Sequence, residues 1–129
     1  MSGHGFNVRL LDCTEAGPSP VLYAAAGEGK GGLLFAGHLD VASPGTEADW
    51  KNGAFAGEIK NGSLCARGIC EMKGAVAAFV GACEQLLSAG ELRGRVGILL
   101  SGDEESSVPR GLECGVKYLL QKGESYDCC

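Results

Sequence analysis

His38 and Asp40 stand two residues apart in Gly37-His38-Leu39-Asp40-Val41, directly after the apolar run Leu33–Ala36. In an extended chain, alternate residues point to the same side. A carboxylate beside an imidazole orients the ring and raises its basicity, which is what a metal-bound histidine needs. Taken alone, the pair reads as a solvated surface feature. A second polar cluster, Ser101-Gly102-Asp103-Glu104-Glu105, follows the apolar run Val96–Leu100. Its acids, taken alone, would form a turn that caps the next helix. Glu71 lies at the predicted start of the longest helix, where the helix dipole favours negative charge. Order changes the weighting. In open α/β sheets, ligands bind beyond the carboxyl ends of the strands. If the two apolar runs are parallel neighbours, His38, Asp40 and the acids at 103–105 share one rim.

The elements that would carry these residues can be read from periodicity. Phe6–Asp12 alternates apolar and polar residues and predicts a half-buried strand, and Val21–Ala26 predicts another. Ala16–Pro20 reads as a turn, and the glycine-rich Gly27–Gly32 as a hairpin loop. It is no phosphate loop, since no G-K-[ST] follows. Leu33–Ala36 and Val96–Leu100 suit strands buried on both faces, as in a parallel sheet. Val41–Gly53 is loop-like. Asn61-Gly62 between two strand-like runs, Phe55–Lys60 and Ser63–Arg67, is a strong hairpin signal. Met72, Ala75, Val76, Phe79, Val80, Cys83, Leu86 and Leu87 recur at helical spacing, with Gly90 as the stop. Leu112, Val116, Leu119 and Leu120 mark a shorter helix that ends near Gly123. Strand, helix, strand, helix is an α/β order, with a mixed, mainly parallel sheet flanked by helices.

Composition narrows the function classes. The 129 residues allow one compact domain, and 45% hydrophobic content argues against disorder. A net charge of −5 argues against nucleic-acid binding, which calls for a basic face. The apolar runs are far shorter than the ~20 residues of a membrane helix, and Met1–Phe6 is no secretory signal. The expectation is a soluble cytoplasmic protein with no nucleic-acid or membrane partner. The 7 cysteines are irregularly spaced and include no C-x-x-C pair, so they read as reduced thiols serving as small apolar residues.

Four segments, taken together, resemble the zinc aminoacylase/carboxypeptidase superfamily of co-catalytic metallopeptidases. They are F-A-G-H-L-D-V at Phe35–Val41; P-G-T-E-A-D-W at Pro44–Trp50 with F-A-G-E-I-K-N-G-S-L at Phe55–Leu64; A-R-G-I-C-E-M-K-G at Ala66–Gly74; and S-G-D-E-E at Ser101–Glu105. Within the superfamily they are most similar to the bacterial succinyl-diaminopimelate desuccinylases. The resemblance implies part of a zinc-exopeptidase-like catalytic domain. It implies two zinc ions, or cobalt, and hydrolysis of a small N-acyl amino acid substrate. His38 would be a terminal ligand of one metal and Glu105 of the other, with Glu71 at the bridging position. Asp40 would hold the His38 ring from behind, and Glu104 would be the general base and acid.

The sequence departs from the family pattern in two ways. Glu71 stands where the family usually has aspartate, and glutamate is one methylene longer. The family's leading helix, a later G-E-P acid, a C-terminal histidine ligand and the insertion domain that makes the homodimer have no counterpart within residues 1–129. The resemblance thus implies an incomplete N-terminal part of the catalytic domain, inactive by itself. Acetylornithine deacetylase, a carboxypeptidase or dipeptidase, and a non-catalytic remnant or binding module remain as alternatives at this stage.

Overall fold

The computed structural model describes residues 5–11, 13 and 19–129 of the chain. Their regular elements are β1 (Asn7–Leu11), β2 (Val21–Gly27), β3 (Leu33–His38), β4 (Glu58–Lys60), β5 (Ser63–Cys65), α1 (Gly74–Ala89), β6 (Arg95–Ser101) and α2 (Gly111–Gln121). The turn predicted at 16–20 lies outside the described residues except for Ser19 and Pro20.

The main sheet has the order β1-β2-β6-β3. Strand β6 is buried from its second residue to its last, which explains its unbroken apolar sequence. It pairs parallel with β3, in a register that sets Leu33 beside Val96 and His38 beside Ser101. On its other edge it pairs antiparallel with β2, and β2 pairs antiparallel with β1. The sheet is mixed and flanked by helices, as expected, but parallel pairing is confined to β3 and β6. The reason is that β1 and β2 form a simple antiparallel ladder, and only the helical crossover through α1 can return the chain parallel to β3.

Side-chain alternation divides the core into two layers. Phe6, Ala24, Ala26, Val96, Ile98 and Leu100 pack under α1 through Val76 and Cys83, with Phe79, Val80 and Leu87 at the margin. Leu11, Val21, Tyr23, Leu34 and Leu99 pack under α2 through Leu119. Helix α1 ends at Gly90, a left-handed C-cap whose N–H donates to the Leu86 and Leu87 carbonyls. Strands β4 and β5 form the predicted hairpin, with positive φ at Asn61 (51°) and Gly62 (76°).

Two expectations are corrected. The segment at 27–32 is not a hairpin loop, because β6 lies between β2 and β3. The connection passes over the start of β6 so closely that a Cβ on Gly32 would sit 2.1 Å from the Arg95 carbonyl oxygen. The cysteines are not all free thiols either. Cys13 and Cys114 form a disulfide with Cα atoms 6.0 Å apart and a sequence separation of 101. Spacing gives no hint of this pairing, since the fold alone brings the end of β1 against α2. Cys83 is the buried apolar thiol expected, whereas Cys65, Cys70, Cys128 and Cys129 are free and exposed.

A loop of that length makes the cross-link worth about 4–5 kcal/mol through the entropy of the unfolded chain. Reduction, or Cys114→Ser, should therefore lower the melting temperature by more than about 10 °C. Calorimetry with and without a dithiol checks this.

Candidate active site

His38 ends β3 and the acidic turn follows β6, so the parallel register delivers both to one rim. Leu39 N–H donates to the Ser101 carbonyl at 2.8 Å and extends the pairing one residue past the strand. His38 is buried, at 5% exposure. Its Nδ1 lies 3.1 Å from the Asp40 main-chain oxygen and 3.4 Å from Asp40 Oδ1. Its Nε2 lies 3.1 Å from Glu71 Oε1. The alternate spacing of His38 and Asp40 thus places them on one side, as predicted.

Both ring nitrogens face oxygen acceptors, an arrangement that suits the doubly protonated imidazolium. Burial opposes that cation. The acceptors from Glu71 and the Asp40 backbone, with the charges of both carboxylates, outweigh it and hold the His38 pKa above its ordinary value.

Glu71 does not open α1. It lies in a wide turn at Ile69–Lys73 that precedes the helix, with extended φ/ψ of −131° and 95°, and the Glu71–Met72 peptide is cis. The helix's own first turn contains no acid. The dipole reading of Glu71 is therefore replaced by a direct bond to His38. Beneath the turn, the Met72 thioether fills the space over Gly37, where a Cβ would approach its Sδ to 2.9 Å. Phe35 and Phe79 stack just below, with centroids 4.7 Å apart.

The acidic turn after β6 is organised by backbone amides. The Asp40 carboxylate accepts from Glu104 N–H at 3.1 Å and from Glu105 N–H at 2.8 Å. The Asp103 carboxylate accepts from Arg110 and Gly111 N–H, both at 2.9 Å, and caps α2. His38, Glu71 and Glu104 line one cleft of about 230 Å³, floored by Ala36, Gly37 and Met72. Glu105 is exposed on the same turn without lining that cleft.

One contributor was not anticipated. The Lys73 ammonium donates to the Leu39 carbonyl, between His38 and Asp40, and ties that turn to the head of α1. Its only signal is its place in E-M-K-G. At the loop after β3, Trp50 donates to the Pro44 carbonyl at 2.9 Å and carries the Arg67 guanidinium 5.3 Å above its ring.

Residues 34–128 match the family described as Peptidase family M20/M25/M40. The chain belongs to that family. Among curated M20-type relatives, it is 38% identical over 133 residues to a succinyl-diaminopimelate desuccinylase of Rhodopseudomonas palustris (strain BisA53), and 41% identical over 130 residues to one of Gluconobacter oxydans (strain 621H). Each match covers 100% of this chain and 34% of the relative, so the chain spans about a third of their length. Solved M20 relatives agree with the fold. The metallo-carboxypeptidase Sso-CP2 of Sulfolobus solfataricus superposes with a TM-score of 0.73 at 31% identity, over 82% of this chain and 24% of that one. Human carnosine dipeptidase 1 gives 0.75 at 27% identity, over 92% of this chain and 27% of that one.

The M20 family implies metal, and the donors here fit it only in part. The 3.1 Å between His38 Nε2 and Glu71 Oε1 is close to the ~3.3 Å that two tetrahedral ligands of one zinc keep. Among the described residues, however, no group of three or more His, Cys, Asp or Glu is placed to hold a metal ion. A catalytic zinc normally has three protein ligands. Among the described residues the set is short of that.

The raised His38 pKa carries a pH prediction. A cation favoured by folding contributes stability that is complete below the unfolded value near 6.5 and is lost as pH rises through the folded value. With chelator present, unfolding free energy should fall as pH rises above about 6.5. Glu71→Gln, which removes the partner charge, should flatten that fall in denaturant titrations.

Proposed function

We propose that this chain forms one wall of the active site of a metal-dependent amide hydrolase of the succinyl-diaminopimelate desuccinylase type. The reaction is N-succinyl-diaminopimelate plus water to succinate plus diaminopimelate, in lysine biosynthesis. The observation that carries the reading is the convergence of His38, Glu71 and Glu104 on one cleft in an M20 chain whose curated relatives bear that name. Glu104 would take a proton from the attacking water and return it to the departing nitrogen as the C–N bond breaks. His38, Glu71 and Glu105 would be this chain's donors to two zinc ions, or cobalt, with Asp40 in support. On this reading residues 1–129 are the N-terminal part of the catalytic domain, and the homodimer forms through a separate insertion domain. The cytoplasm would be the site of action, and the Cys13–Cys114 bond stands against it, since reducing compartments disfavour disulfides.

A second reading, a binding module without catalysis, is favoured by Glu71, a glutamate where the resemblance implies aspartate. Acetylated and dipeptide substrates belong to the same test, because relatives of known structure include a carboxypeptidase and a dipeptidase.

The test grafts this chain onto the R. palustris desuccinylase in place of its matching third. The chimera should hydrolyse N-succinyl-diaminopimelate in preference to acetylornithine and dipeptides. Glu104→Gln should lower its kcat about 100-fold or more, while Glu71→Asp should raise it. A folded, metal-loaded chimera without activity would refute the hydrolase reading. The chain by itself should retain less than one zinc ion after dialysis; two tightly held ions would contradict the role given to its donors.

A further inference from the structure

We propose that Lys73 is a positioning residue: its ammonium latches the Glu71 turn to the end of β3 and so keeps the Glu71 carboxylate on His38. The Glu71 side chain is 72% exposed, so packing alone does not hold it. Its backbone is extended, outside the repeating bonds of α1. The turn is held by a three-point contact with the strand end. Glu71 meets His38, Met72 rests on Gly37, and Lys73 donates to the Leu39 carbonyl. Three consecutive residues of the turn thus address three consecutive residues of the chain as it leaves β3.

The Met72 contact is apolar and non-directional, whereas the Lys73 bond adds direction and charge assistance. Its acceptor is fixed from the far side, because Leu39 N–H donates to the Ser101 carbonyl of β6 at 2.8 Å. Its donor is fixed as well. Lys73 N–H donates to the Gly68 carbonyl at 2.8 Å and closes the turn behind the half-buried side chain. Glycine at 68 makes this approach possible. Its φ is 85°, and a Cβ there would stand 2.3 Å from Val41 Cγ1 and 3.5 Å from Lys73 Nζ. The charge is used on a neutral carbonyl: among the described residues the ammonium pairs with no carboxylate. Glu71 Oε1 is thereby left to His38. The consequence for turnover rests on the role proposed for Glu71 above. The placement of the turn does not.

The test is NMR on the full 129-residue chain, with the amides of Ile98 and Leu99 in β6 as internal controls. In the unmodified chain the Lys73 ammonium protons should exchange about tenfold more slowly than those of the exposed Lys51 and Lys60. This measurement decides the matter even if a variant fails to fold, and equal rates would overturn the proposal. Lys73→Met keeps the stem and removes the donor. It should speed amide exchange at position 73 by about tenfold to a hundredfold and weaken the nuclear Overhauser contact between the Met72 methyl and the Gly37 α-protons. Lys73→Arg keeps a charged donor and should retain both. No change in the Met variant, or Met and Arg variants that behave alike, would overturn the proposal. Acceleration that spreads equally to Ile98 and Leu99 would overturn it too. In the chimera, Lys73→Met should lower kcat about tenfold or more with little change in KM, and Lys73→Arg should recover it. An unchanged kcat would overturn the positioning role. A turn that loosens as expected, in a chain whose chimera never hydrolyses an amide, would leave the latch standing and remove the hydrolase reading.

Discussion

The parallel pairing of β3 with β6 is the constraint on which the site depends. It sets His38 beside Ser101, so the residues that leave both strands enter the same rim at the same height. Parallel neighbours need a crossover of a dozen residues or more. Here that crossover contains the β4–β5 hairpin, the wide turn with Glu71 and helix α1. The one connection that makes the strands parallel therefore also brings Glu71 over the end of β3, within 3.1 Å of His38. Burial enforces the arrangement. Strand β6 is covered on one face by α1 and on the other by α2, so a register slip of one residue would exchange the two cores.

Around that join, backbone dipoles organise an unusually acidic rim. Asp40 takes the amides of Glu104 and Glu105, and Asp103 takes those of Arg110 and Gly111. Lys73 donates to the Leu39 carbonyl from the other side. These bonds join the loop after β3 to the turn after β6, that turn to the head of α2, and the wide turn before α1 to the loop after β3. Loops otherwise lie on the surface with few restraints. Here three of them are fixed by charged side chains acting on main-chain groups, which cost little entropy to order because the backbone is already in place.

Glu71 illustrates how far a longer side chain can be accommodated. The family pattern has aspartate at this point, and here the backbone at Glu71 is extended, outside the helix. The carboxylate reaches His38 Nε2 directly. A second network holds the opposite end of the sheet. Arg95 pairs with Glu124 and donates to Tyr23 at 2.9 Å, and Tyr23 meets Tyr126 at 2.6 Å. It anchors the segment after α2 so that Cys128 bridges Leu33 in parallel, on the edge of β3 away from β6.

Much of this was legible in the residues. Strand and helix positions followed from periods of two and 3.6, because burial on one face or two writes itself into local sequence. The Asn61-Gly62 hairpin followed from its turn chemistry, and the family from four ordered motifs. His38, Asp40, Glu71 and Glu104 stand out in the sequence by residue type and by their place after or between the apolar runs. Other features left no local mark. That β6 separates β2 from β3, that Cys13 meets Cys114 across 101 positions, that Glu71 sits in a wide turn, and that Asp40 bonds the amides of Glu104 and Glu105 are all pairings between distant segments. The sequence by itself determined which residues have the chemical types to act and which faces are apolar, since those are properties of single side chains and short windows. Only the tertiary structure decided their partners, because a hydrogen bond or a disulfide requires two groups within a few ångströms, and that closeness is made by packing the whole core.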